Sequence, residues 1–196
     1  MGMSRVVNSE KLRAAMAPGR VYRRQELEGS SSALDRDLKT LVDRRLVKKL
    51  SGGLYYRPKK NAFGDAPPGE WDLVRAFLKT DDFLLTSNNN FSLLGLGLTQ
   101  VYSTLVVYNH KRDGWLTLGG KRIHFRKVPA YPDKLSREFL LVDLLNNLRH
   151  LPDDAGRVLQ NLRSRLHEFD REKVRVHLER YGSAWARRVL SQEAHA

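Results

Sequence analysis

The apolar positions of this chain change spacing along its length, and the changes predict its elements. From Ser9 to Met16, Leu12, Ala15 and Met16 fall at helical spacing, with Asn8 or Ser9 as cap and Pro18-Gly19 as stop. Val21-Tyr22 reads as a short extended piece, followed by a brief helix from Arg24 to Glu28 that ends at Gly29. Ser30-Ser31-Ser32 then caps a long amphipathic helix whose apolar stripe is Leu34, Leu38, Leu41 and Val42. Two β-prone runs, Leu46–Leu50 and Leu54–Pro58, flank Ser51-Gly52-Gly53 and predict a hairpin. Helix, short helix, tight turn, long helix and basic hairpin, in that order, form the layout of a winged helix-turn-helix.

The pattern then breaks. Lys59 to Gly69, with Gly64, Pro67, Pro68 and Gly69, reads as a linker. Beyond it the spacing predicts a helix over Glu70–Leu78, a strand at Phe83–Leu85 and a helix over Ser87–Leu94 closed by Gly95. Strands follow at Ser103–Tyr108, Trp115–Leu118 and Arg122–Lys127, the last two joined by a Gly119-Gly120-Lys121 turn. After Pro132 the chain turns helical, near 135–150, 153–168, 171–181 and 183–192, with Asp153 and Asp170 as starts and Gly182 as a stop. The expected fold class is α+β: an N-terminal winged helix-turn-helix over residues 1–60, a linker over 61–69, and a small mixed α/β domain ending in a helical bundle over 70–196.

Composition narrows the function. The 196 residues contain no cysteine, which excludes a disulfide scaffold, a cysteine–zinc site and a thiol nucleophile. No apolar run approaches the ~20 residues of a membrane span, and the first eight residues lack a secretory apolar block, so a cytoplasmic protein is expected. The net charge of +13 is uneven: residues 1–60 hold 15 Lys+Arg against 6 Asp+Glu, a net of +9, and the remaining residues carry +4. An excess concentrated in this way suits either a solvated surface or a polyanion-binding module.

The helical pattern assigns candidate contacts. At ~100° per residue, Leu38, Leu41 and Val42 cluster with Leu34, and Ser32, Arg36, Lys39 and Asp43 fall on the opposite side. That opposite face offers Arg36 for guanine edges and Ser32 and Lys39 for bases or phosphates, and Ser31 in the capping run joins the candidate DNA contacts. Arg23 and Arg24 open the short helix, where backbone amides and guanidiniums suit a phosphate. Lys48, Lys49, Arg57, Lys59 and Lys60 lie on or beside the wing, which suits backbone or minor-groove contact. Tyr55 and Tyr56 point to opposite faces of one strand, so one of them is expected in the core.

Other motifs carry less. Gly95-Leu96-Gly97 lacks the third glycine of a nucleotide loop and reads as a turn with packing leucines; Asn88-Asn89-Asn90 reads as a helix start. His110, His124, His150, His167, His177 and His195 include no i,i+4 pair, and Asp81-Asp82 and Asp153-Asp154 diverge as neighbours. No nucleophile elbow, phosphate loop or zinc-protease motif is present, so the chain is expected to be neither an enzyme nor a metal or cofactor binder.

Three stretches in order carry a family resemblance: Val21–Leu27, Leu38–Lys49 and Gly53–Pro58. Together they resemble the N-terminal winged helix of the AbiEi family, antitoxins and autoregulators of bacterial type IV toxin–antitoxin (abortive infection) systems. Thr86–Gln100 is similar to the opening of that family's second domain, and Phe169–Gly182 with Arg187–Leu190 to its helical end, so the resemblance spans roughly residues 10–190. This chain has Arg45 where family members often carry glycine, and it lacks the longer middle region of larger members. The resemblance implies a repressor that binds inverted repeats in its own promoter, and a C-terminal domain that opposes a nucleotidyltransferase-like toxin. Two rivals from other classes remain: an interaction module that uses the winged helix as scaffold for an acidic partner, and a nuclease or nucleotide-modifying enzyme. A plain regulator without antitoxin role is a further alternative.

Overall fold

The computed structural model describes residues 2–193, and the side chains of residues 8–192. The fold is α+β. It divides into two compact units, one comprising the residues up to Asp81 with Thr117–Lys121, the other Asp82–Leu116 with the residues from Arg122 onward.

The first unit opens with α1 (Gly2–Ala15), which begins earlier than the apolar spacing predicts and stops before Pro18. Gly19, at φ +84°, turns the chain there, and its N–H donates to the Arg57 carbonyl at 2.7 Å. Strand β1 (Val21–Arg23) leads into a 3-10 turn over Arg24–Leu27 and then into α2 (Leu34–Asp43). The hairpin strands β2 (Lys48–Ser51) and β3 (Leu54–Tyr56) follow. They complete a three-stranded antiparallel sheet in the order β1-β3-β2, in which Tyr55 lies opposite both Tyr22 and Lys49.

Both faces of that sheet are covered. Tyr22 and Tyr55 join Leu12 of α1, Met16 just after it, and Leu34, Leu38 and Leu41 of α2 on one face. Val21, Leu54 and Tyr56 pack on the other face against Ala76 and Phe77 of α3 (Glu70–Leu78). Both tyrosines are therefore core residues, because each side of the pleat meets a helix. The segment expected as a linker is folded as well. It forms a ribbon of β4 (Lys60–Asn61) and β5 (Gly64–Asp65), held by the Tyr56 hydroxyl donating to the Ala66 carbonyl at 2.8 Å. Consequently α3, expected to open a second domain at residue 70, belongs to the first unit, and the division falls after Asp81.

The second unit has a four-stranded sheet in the order β6-β7-β9-β8, built from β6 (Leu84–Ser87), β7 (Leu105–Asn109), β8 (Gly114–Leu118) and β9 (Lys121–Lys127). Strands β6 and β7 run antiparallel, β7 and β9 parallel. The helix expected over 87–94 is a 3-10 helix, Asn88–Leu94, closed by Gly95 at φ +69°. Helix α4 (Arg137–Asn147) is buried continuously from Phe139 to Leu145, the mark of a helix packed all round. It is packed by α5 (Ala155–Arg165), α6 (Arg171–Tyr181), α7 (Ala184–Glu193) and the 3-10 helix, through Phe91, Leu94, Val158, Leu162, Val174 and Leu190. Ser136, Asp154 and Asp170 accept from the first-turn amides of α4, α5 and α6, so the cap of α5 is Asp154 rather than Asp153.

Candidate nucleic-acid interface

The start of α2 is fixed from below. The Ser31 hydroxyl donates to buried Asp37 at 2.5 Å and accepts from the Ala33 amide at 3.0 Å. The residue before the helix is Ala33, whose side chain caps nothing, so the expected serine cap is replaced by this Ser31–Asp37 link. Ser31 is thus spent on the helix start and half-buried, whereas Ser32, Arg36 and Lys39 are exposed. The last two lie on the side of α2 away from Leu34, Leu38 and Leu41.

Acidic neighbours on α2 are partly withdrawn from this face. Arg24 forks both oxygens of Asp35, at 2.7 and 2.8 Å, and reaches Glu28 at 2.8 Å. The Arg24 guanidinium holds the Asp35 carboxyl below its ordinary range and is itself held more firmly protonated by Asp35. Arg24 therefore ties the 3-10 turn to α2 and is not an open cation. Asp37 is buried beneath Ser31, with Arg36 Nε 3.8 Å away, and Asp43 stays exposed at the end of the helix.

The remaining expected contacts separate in the same way. Arg57 donates to the carbonyls of Arg13 and Met16, at 2.7 and 2.6 Å, so its guanidinium caps the end of α1 instead of facing solvent. Lys48 pairs with Asp65 of β5 at 3.1 Å. Lys49 and Lys59 are exposed. Arg23 is half-buried; its amide donates to Glu26 at 2.6 Å, and its side chain lines a cavity of about 250 Å³ shared with Arg20, Glu26, Asp72 and Arg75.

A second basic feature gathers cations beyond the expected Arg57 and Lys60. A cavity of about 550 Å³ is lined by Arg13, Arg44, Arg45, Arg57, Lys60 and Asp65. Arg13 and Arg44 share Glu10, at 3.0 and 3.2 Å. Its cations come from three separate stretches of the chain: Arg13, the Arg44-Arg45 doublet at the end of α2, and Arg57 to Lys60. Arg45 has φ +58°. Its N–H donates to Val42 O and that of Leu46 to Leu41 O, both at 2.9 Å, the paired bonds of a Schellman turn made without glycine.

In the second unit the glycine-containing loop has its carbonyls occupied. Arg165, Asn161 and Arg157 of α5 donate to the carbonyls of Gly95, Leu96 and Gly97, at 2.6, 3.0 and 2.8 Å, and Leu96 is fully buried. That arrangement seats the turn on α5. Asp143 of α4 is buried, accepting from the Tyr108 hydroxyl at 2.5 Å and Asn147 Nδ2 at 2.9 Å. Burial pushes its carboxyl up to about 6, against the hydrogen bonds and the Arg126 charge that favour its ionised form. Among the described residues no three His, Asp or Glu side chains surround a point where a metal ion would sit. His195 lies outside the described residues. Among the described residues, too, no helix is long and apolar enough to cross a membrane. The chain matches no protein-family model, no curated protein and no solved structure.

Proposed function

We propose that the protein is a winged-helix, duplex-DNA-binding autorepressor and the antitoxin of a type IV toxin–antitoxin system. The observation that carries the DNA-binding reading is the exposed Ser32, Arg36 and Lys39 on and just before the helix that precedes a basic hairpin. In this reading α2 enters the major groove. Arg36 reads base edges with Ser32 and Lys39, while Lys49, Lys59 and, from the 550 Å³ cavity, Arg13, Arg44, Arg45 and Lys60 neutralise phosphates. Arg24, Lys48 and Arg57 hold the unit together instead. The antitoxin role, directed at a nucleotidyltransferase-like toxin, rests on the AbiEi resemblance and is assigned to the second unit. The charges on α6 there are mixed and mutually paired, as in Arg175 between Glu172 and Glu179, which suits a protein partner better than DNA.

The test is binding of the full chain to the duplex upstream of its own coding sequence, over a salt series. Affinity should fall by a log–log slope of about 0.9 for each phosphate contact. Arg36→Ala should cost ~1–3 kcal/mol on that duplex and little on random DNA, whereas Lys49→Ala should weaken both alike. Salt-insensitive binding sinks the DNA reading, and equal losses for Arg36→Ala on both duplexes demote Arg36 to a backbone contact. For the antitoxin role, the Arg36→Ala protein co-expressed with the toxin from an unrelated promoter should still restore growth; continued toxicity leaves a plain repressor.

A further inference from the structure

The β4–β5 ribbon presents one large apolar side chain to solvent. Phe63 at its tip is 99% exposed, the most exposed large hydrophobic residue among the described residues. The local sequence holds it there: Asn61 Oδ1 accepts from the Phe63 amide at 2.9 Å, and Gly64 takes φ +112°, which a side chain would resist. Strands of two residues have little stability of their own. The ribbon is instead anchored at its base by Ala66 N–H to the Lys59 carbonyl at 2.8 Å, by Tyr56 to Ala66 and by Lys48 to Asp65. A phenylalanine carried on a ribbon tip that packs on nothing contributes nothing to the folded state.

Charge identifies what it meets. Lys59 and Lys60 are exposed immediately before the tip, and the ribbon's one carboxylate, Asp65, is neutralised by Lys48. Lys60 also lines the cavity that gathers Arg13, Arg44 and Arg45. An apolar tip backed by cations is the arrangement by which proteins wedge between base steps in the minor groove while holding the flanking phosphates. Resting on the DNA-binding reading above, we infer that the β4–β5 ribbon is a second duplex-DNA contact in which Phe63 inserts between base pairs and Lys59 and Lys60 take the adjoining phosphates. A flexible pyrimidine–purine step, the cheapest to unstack, is its preferred site.

The experiment uses the full chain and a short mixed-sequence duplex with a donor and an acceptor fluorophore at its ends. Wild type should raise energy transfer by bending the duplex. Phe63→Ala should keep the wild-type thermal midpoint, bind about 10-fold more weakly and leave the duplex straight. Phe63→Trp should restore binding, and its emission, taken as the difference from wild type with its three native tryptophans, should be quenched by the duplex. Wild-type affinity and bending in Phe63→Ala, or unquenched Phe63→Trp under saturating duplex, overturns the inference. If Arg36→Ala still loses affinity in that case, only the wedge fails; if wild type binds no duplex, both readings fail. A change of self-association on Phe63→Ala, with DNA binding intact, assigns the tip to a second copy of the chain and likewise overturns the wedge.

Discussion

Arg45 holds a backbone conformation that suits glycine. Left-handed φ at a residue with a Cβ costs roughly 1–2 kcal/mol, and here the Schellman bonds of Arg45 and Leu46 enforce it. Arg45→Gly should therefore raise the free energy of unfolding by ~1 kcal/mol in a urea titration. If Arg45 also serves the basic cavity, the same variant should bind duplex more weakly, so stability and affinity would move in opposite directions. A lower stability for Arg45→Gly would refute the strain argument. Residue roles were the least legible part of the sequence. Charge counting located the basic segment, and helical spacing correctly separated exposed Arg36 and Lys39 from buried Leu38 and Leu41. Neither could foresee that Arg24 would turn to Asp35, eleven residues away, or Arg57 to the end of α1, more than forty residues away. Those partners are set by tertiary packing, and a long cation gives no periodic signal of where its tip goes.

At the scale of elements, β1, α2, the β2–β3 hairpin and the four last helices follow from apolar spacing, glycine stops and caps. What spacing could not show is which surface each element covers. Three consecutive buried residues, Leu54, Tyr55 and Tyr56, require cover on both sides of the sheet, and α3 supplies the second layer through Ala76 and Phe77. The Pro/Gly content of residues 59–69 misled in turn, because the same residues that loosen a linker also close a tight ribbon. Helix α3 is thus predicted to stabilise the first unit. Phe77→Ala should cost ~2 kcal/mol as a half-buried aromatic truncation, and should speed hydrogen exchange at the β1 and β3 amides. Exchange accelerated only in the second unit would place α3 elsewhere.

Across the whole molecule, the pH dependence of stability carries a contribution from one buried carboxyl. Burial holds the Asp143 carboxyl up at about 6 in the fold, so its protonated form is the one the fold favours. That contribution is fully present below the unfolded value near 3.8 and is lost as pH rises through about 6. That difference corresponds to ~3 kcal/mol at most. Asp143→Asn, which keeps an acceptor for Tyr108, should therefore gain on wild type as pH rises from 4 to 7, by thermal melts at each pH. A constant difference between the two proteins over that range would rule the carboxyl out as the source. The division of the chain has a different kind of consequence, one of timing. Thr117–Lys121 belongs with the first unit, where Gly119 N–H donates to the Leu50 carbonyl and Lys121 pairs with Glu70 at 2.5 Å. A ribosome must therefore have extruded the first part of the second unit before the N-terminal unit has all its own residues. The basic face of α2 can form on the nascent chain well before the unit that carries it is finished, so the DNA binding proposed for that face and full maturation of the protein need not begin together.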